Sequence, residues 1–244
     1  FLTKTKKFIW SQREEYLREV KLRTCMCQFK KKKEGNLNLL KDMTNLIAHR
    51  GPDSNGYWVS NPNKIFIGHR RLSILDLTDK GKQPMTSSCG RYVISYNGEV
   101  YNFQILKKML EEKFSIKFNN NTDTQVILEL ISTLGIKKAI SLIEGMFAFV
   151  VWDKKRKSLF LVRDRFGEKP LYYFLDSEYL VFGSELKVIE RFFYPKKLNI
   201  SSKGANYYSF LGYIPAPYSI YKNTYKVMPS ELIEIKNGRV VKKN

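Results

Sequence analysis

Residues 146–162 read MFAFVVWDKKRKSLFLV, and this stretch decides the fold. Two apolar runs, Met146 to Trp152 and Leu159 to Val162, flank a polar turn from Asp153 to Lys157. β-branched and aromatic residues on both sides of such a turn predict an antiparallel hairpin. Downstream, Leu171 to Phe174 and Tyr179 to Phe182 predict two more strands. Upstream, Tyr92, Ile94 and Tyr96 recur with the period of two of a half-buried strand, and Ile65-Phe66-Ile67 reads as another. Helices come in separate groups. Leu39, Leu40, Met43, Leu46 and Ile47 lie at helical spacing, and His49-Arg50-Gly51-Pro52 should stop that helix. Asn102 is placed to cap a helix carrying Ile105, Leu106, Met109 and Leu110; another carries Val126, Ile127, Leu130, Ile131 and Leu134, ending near Gly135. Hairpin order with grouped helices predicts an α+β fold of antiparallel sheets covered by helices, not a doubly wound parallel sheet. There is no internal repeat.

The chain has 244 residues, enough for one sizeable domain with an appendage, and its 43% hydrophobic and 14% aromatic content favours a packed core over disorder. No apolar stretch approaches the roughly 20 residues of a membrane span. Phe8-Ile9-Trp10 is too short for a signal-peptide core, so a cytoplasmic protein with no membrane partner is expected. The net charge of +20 raises nucleic acid as a partner. Yet the lysines are spread along the chain, and the dense run Lys30 to Lys33 lacks interleaved aromatics. A solvated basic surface and no nucleic-acid partner is the expectation. Cys25, Cys27 and Cys89 are odd in number, and Cys25-x-Cys27 has the wrong spacing for a zinc knuckle or a redox pair. His49 and His69 are read as structural, so no metal is expected.

Four elements carry chemistry. Arg50, at the end of a helix, has the fork geometry to grip a carboxylate, although Gly51-Pro52-Asp53 is also an ordinary turn. Asn97-Gly98 offers an amide and a backbone N–H to a developing oxyanion, and Glu99 follows; but Asn-Gly is equally the favoured pair of a tight hairpin, which is the stronger reading in isolation. Asp123 heads a helix, where it either caps the helix or holds an ammonium group. Cys27 is a thiol that can attack. Together they complement the carboxylate, ammonium and amide of glutamine.

Longer motifs surround these residues: HRGPDSNGYW from His49, GHRRLSILDL from Gly68, YNGEVYNF from Tyr96, NTDTQVIL from Asn121, IEGMFAFVVWD from Ile143, RDRFGEKPLYY from Arg163, FGSELK from Phe182 and GYIPAPYSIYK from Gly212. With them the chain resembles the class II glutamine amidotransferase domain of glutamine-hydrolysing asparagine synthetases, from about Leu37 to Lys236. HRGPD is shared across amidotransferase types, whereas HRRLSILDL, RDRFGEKPLYY and GYIPAP are more specific to this branch. The resemblance implies an N-terminal-nucleophile hydrolase fold, a four-layer αββα sandwich. It implies that Arg50 holds the glutamine carboxylate and Asp123 its amino group. Asn97 and Gly98 would form the oxyanion hole, with Glu99 in the substrate pocket and Cys27 as nucleophile. It implies no cofactor for this part; ATP and Mg2+ belong to a synthetase domain, the expected partner beside glutamine. The resemblance also leaves a homodimer open. Gln125 stands where the family has Glu, a change expected to be tolerated.

The N-terminus departs from the family, whose members begin Met-Cys-Gly-Ile-Ala-Gly. Here Met26-Cys27 is followed by Gln28-Phe29 and four lysines, and the nucleophile's strand is expected to be lost, since a lysine run cannot replace a buried strand. Three readings stand: translation from Met26, a removable propeptide over residues 1–26, or a misassembled N-terminus, the last being favoured. Residues 1–28, with a capping box at Ser11 and Glu14, are expected to be an atypical extension. Residues 29–205 are expected to be the amidotransferase domain, and 206–244 a connector toward a missing synthetase domain, for which no Gly-Gly phosphate loop is present. The expected function is that of the ammonia-releasing part of a truncated asparagine synthetase, impaired as it stands. The alternatives are a same-branch amidotransferase with another carboxylate acceptor and a non-catalytic glutamine-binding remnant.

Overall fold

A computed structural model describes residues 24–30, 37–60, 65–72 and 79–243. One sheet holds β1 (Thr24–Lys30), β2 (Ser54–Ser60), β3 (Ile65–Arg71), β8 (Tyr172–Leu175), β9 (Tyr179–Gly183) and β10 (Thr224–Lys226), in the order β10-β8-β9-β1-β3-β2. The other holds β4 (Met85–Thr86), β5 (Tyr92–Val100), β6 (Gly145–Asp153), β7 (Ser158–Arg163), β11 (Leu232–Lys236) and β12 (Arg239–Lys243), in the order β12-β11-β7-β6-β5-β4. The neighbouring strands in both sheets pair antiparallel. The hairpin of residues 146–162 is β6 and β7, with Asp153 opposite Ser158. The helices are α1 (Leu37–Asn45), α2 (Phe103–Phe114), α3 (Asp123–Leu134), α4 (Ile136–Leu142), α5 (Leu186–Phe193) and α6 (Ser202–Leu211).

Alternation along the strands sorts side chains into layers. Val93, Ala148, Val150, Trp152 and Leu161 of one sheet pack with Ile65, Ile67, Leu180 and Phe182 of the other. The residues between them, Ile94, Tyr96, Phe149, Val151 and Phe160, pack instead with Leu106 and Leu110 of α2 and Val126, Leu130 and Ile131 of α3. On the opposite outer face Phe66, Phe174 and Val181 meet Leu40, Met43 and Ile47, with Val188 and Ile189 of α5. Helix, sheet, sheet, helix is the four-layer arrangement expected. It explains why β6 reads as a continuous apolar run: it is covered on both faces.

Three local expectations change. The nucleophile's strand is not lost: β1 lies between β3 and β9, its backbone paired from Thr24 opposite Arg70 to Phe29 opposite Ile65. The physical reason lies in its composition, TCMCQFK, which reaches the first lysine only at its last residue. β1 thus crosses the expected boundary at 28/29, and β10, β11 and β12, within the expected connector, belong to the sheets. Asn102 precedes α2 but makes no capping bond. Its Nδ2 donates to the Leu142 carbonyl at 2.9 Å, and its Oδ1 accepts from the Glu144 N–H at 3.1 Å, tying α2 to the end of α4. Ile105, read as part of the apolar stripe of α2, is 72% exposed. Residues 1–23, including the Ser11–Glu14 capping box, lie outside the described residues, as does much of HRRLSILDL.

Candidate functional site

The site is built around the end of β5. Asn97 and Gly98 are strand residues, opposite Ala148 and Phe147 of β6, so the hairpin-turn reading of Asn-Gly fails. Gly98 has φ +152°, and a Cβ there would lie 2.1 Å from the Met146 carbonyl oxygen. Only glycine fits so close to the neighbouring strand. Ser95, two residues before Asn97 and on the same face, meets His69 Nδ1 of β3 at 2.9 Å. That face looks into the space between the sheets. Asn97 is 1% exposed there, and neither its Oδ1 nor its Nδ2 has a hydrogen-bond partner among the described residues. An unsatisfied buried amide costs about 1–3 kcal/mol, so a polar ligand group that pairs with Asn97 would be favoured there.

Asp123 begins α3, yet it does not cap the helix. Thr122 does, its hydroxyl accepting from the Gln125 N–H at 3.3 Å. The Asp123 carboxylate is therefore released for other work. Its Oδ2 accepts from the Tyr96 hydroxyl at 2.7 Å and from the Val100 N–H at 3.2 Å, which puts the carboxylate against the end of β5. Gln125 is buried and its Oε1 accepts from the Asn120 N–H at 3.2 Å, a bond a neutral amide can serve.

Arg50 follows α1 in a short 3-10 turn, Ala48–Arg50. Two glycines set its position by close approach. A Cβ at Gly68 of β3 would lie 2.5 Å from Thr44 Oγ1 of α1, and one at Gly51 would lie 2.6 Å from the Arg70 carbonyl carbon. The Arg50 side chain is buried, and Nη1 donates to Glu185 Oε1 at 2.7 Å. Nε and Nη2 are buried without a partner among the described residues. Glu185 also receives His49 Nε2 at 3.0 Å and pairs with Lys187 Nζ at 2.9 Å. Burial pushes the Glu185 carboxyl up, but hydrogen bonds from Lys187 and Arg50 overcome this and hold it at about 2. His49 thus contacts Glu185, and His69 contacts Ser95, within the fold.

Sequence reasoning missed Lys169. It is 4% exposed, and burial pushes its ammonium below the ordinary lysine range. Arg50 repels it and Glu99 attracts it, an electrostatic tie between residues from distant parts of the chain. Its loop is fixed by Asp164, whose Oδ1 accepts the Phe166 and Glu168 N–H groups and whose Oδ2 accepts those of Phe147 and Lys169. Arg163 Nε and Nη1 bind the carbonyls of Lys169 and Val227 at 2.8 and 2.7 Å. The signal was RDRFGEKP itself, which served only as a family mark.

The structure brings Asn97, Gly98, Glu99 and Asp123 to one strand end, while Arg50 is held by Glu185 after α1. Cys27 sits in register with Ile67 on one side and Phe182 on the other, and β1 packs across from β5. A cavity of about 320 Å³ lined by Lys137, Ile140, Phe147, Arg165 and Leu232 contains none of Arg50, Asn97, Gly98, Glu99, Asp123 and Lys169. Among the described residues no cluster of His, Cys, Asp or Glu could hold a metal, and no helix is long and apolar enough to cross a membrane.

The chain is similar to known proteins in sequence and in fold. An asparagine synthetase (glutamine-hydrolyzing) 2 of Methanocaldococcus jannaschii is 41% identical over 205 residues, 77% of this chain and 39% of that protein. Asparagine synthetase (glutamine-hydrolyzing) 1 of Bacillus subtilis is 35% identical over 198 residues, 81% of this chain and 30% of that protein. The chain thus spans two fifths or less of the length of these relatives. The solved glutamine phosphoribosylpyrophosphate amidotransferase of B. subtilis superposes with a TM-score of 0.65 at 18% identity, over 91% of this chain and 48% of that one. That likeness shows the fold, two antiparallel sheets stacked between helices. The family described as glutamine amidotransferase domain matches residues 24–244, and the chain belongs to it.

Proposed function

We propose that this domain hydrolyses glutamine and delivers the ammonia to a synthetase domain that makes asparagine. The buried amide of Asn97 beside Gly98, without a partner among the described residues, carries this reading, because its Nδ2 can donate to a developing oxyanion. In the proposed reaction the Cys27 sulfur attacks the side-chain carbonyl carbon of glutamine. Asn97 Nδ2 and the Gly98 N–H donate to the oxygen as it gains charge. The C–N bond breaks as the nitrogen takes a proton and leaves as ammonia. A thioester remains, and water cleaves it to glutamate and free thiol. Arg50 holds the α-carboxylate through Nε and Nη2, the donors that Glu185 leaves over. Asp123 holds the α-ammonium, and Glu99 lines the pocket.

The base is the amino group of Cys27. A free amine with a pKa of about 8 accepts the thiol proton, whereas a peptide nitrogen cannot. The proposal therefore requires Cys27 to be N-terminal in the working protein. The names of the relatives support asparagine synthesis as the use of the ammonia; ATP and Mg2+ at the synthetase domain, and the cytoplasm as the place, are part of the proposal. Glutamate release from glutamine, by a chain starting at Cys27, tests the reading. A folded chain of that kind that releases none, and binds no glutamine, defeats it.

A further inference from the structure

Tyr96 is a tyrosine with 0% exposure, in the helix-facing layer of β5 and tilted 6.4 Å between ring centroids from Phe149. Packing alone would be served as well by phenylalanine. The hydroxyl, however, donates to Asp123 Oδ2 at 2.7 Å, the distance of a strong, charge-assisted bond. The Val100 N–H grips the same oxygen. The Tyr96 backbone is fixed in turn: its N–H donates to Gln83 Oε1 at 2.7 Å, and Gln83 Nε2 reaches Thr124 Oγ1 at 3.2 Å. Gln83 and Thr124 are both buried. These bonds run from β5 to the first turn of α3 and back, so that the strand bearing Asn97 and Gly98 and the helix bearing Asp123 are pinned as one unit.

We propose that Tyr96, held by Gln83, is the positioning residue of the α-ammonium subsite: its hydroxyl sets the Asp123 carboxylate and with it the preference for amides that carry an α-amino group. This deepens the proposed function and depends on its assignment of Asp123. A carboxylate at the head of a helix has several rotamers, and losing the one that faces a ligand forfeits a charged hydrogen bond. A purely structural tyrosine would affect all ligands of the pocket alike. A positioning tyrosine affects only those with an ammonium group.

The test is calorimetric titration of the 244-residue chain and its Tyr96→Phe variant with two ligands, glutamine and 4-carbamoylbutanoate, which is glutamine without its α-amino group. Tyr96→Phe keeps the ring and the core packing, and a thermal melt verifies that it is folded at the titration temperature. The expected result is about tenfold weaker glutamine binding by the variant, with 4-carbamoylbutanoate binding within about twofold of the parent. Equal weakening of both ligands, or of neither, overturns the role of Tyr96 while leaving Asp123 in place. A parent chain that binds glutamine no better than 4-carbamoylbutanoate overturns the assignment of Asp123 itself, and the proposal with it.

Discussion

Arg50 donates through Nη1 to Glu185 at 2.7 Å while its Nε and Nη2, equally buried, meet no acceptor among the described residues. One edge of the guanidinium is anchored and the rest is left for a ligand. The anchor has a measurable signature. The Glu185 carboxyl is depressed from 4.5 to about 2, so its contribution to stability is complete above pH 4.5 and is lost as pH falls toward about 2. Glu185→Gln should therefore cost about 1–2 kcal/mol at neutral pH, after allowing for the solvent that reaches Glu185. The gap from the parent should narrow with acidification. Urea melts of both chains at neutral pH and near pH 3 check this; a gap that stays constant would contradict it.

Gly98 leaves little room for change. Its φ of +152° and the Met146 oxygen 2.1 Å from a virtual Cβ predict that Gly98→Ala loses roughly 3 kcal/mol of stability through strain and overpacking. Gly90, with φ +72° but no atom within 4 Å of its Cβ, should lose no more than about 1 kcal/mol on the same change. Denaturant midpoints of the two variants give the comparison.

Asn97→Ala should separate stability from activity. Removing a buried amide that has no partner among the described residues relieves a desolvation cost, offset in part by the small void left. The melting temperature is expected to hold or rise, while glutamate release falls about 100- to 1,000-fold. A variant that melts markedly lower yet retains its rate would remove Asn97 from the oxyanion hole.

Much of this was legible in the sequence, and the rest was hidden for physical reasons. The 146–162 hairpin announced itself because both faces of β6 are buried, which leaves no polar residue before Asp153 to blur the pattern. Asn97-Gly98 was ambiguous because the same pair suits a turn; only pairing with Ala148 and Phe147 decides it. Asp123 looked like a cap until Thr122 was seen to fill that place. Lys169 stands in the RDRFGEKP motif, but a lysine in a polar loop reads as exposed, and only the fold shows it buried. β1 was misjudged because the lysines after it drew more weight than its own seven residues.

The N-terminal amine makes the sharpest demand. A chain with residues 1–26 attached should release glutamate about 100- to 10,000-fold more slowly than one starting at Cys27, since only the latter has a free amine beside its thiol. The measurement is a glutamate assay on both chains, with mass spectrometry of each N-terminus. Comparable rates from an intact longer chain would rule out the amine as base.

The place of β1 also bears on how the chain assembles during synthesis. Its partners come from opposite ends of the domain: β3 emerges soon after it, but β9 only once the second sheet's β4 to β7 have been made. Until then β1 presents a bare edge of unpaired N–H and C=O groups, a template for pairing with other chains. Such long-range closure makes folding slow and leaves the unfinished chain prone to aggregate. The lysine run directly after Lys30 then acquires a use unrelated to catalysis, as like charges that discourage that edge from adding a stranger's strand.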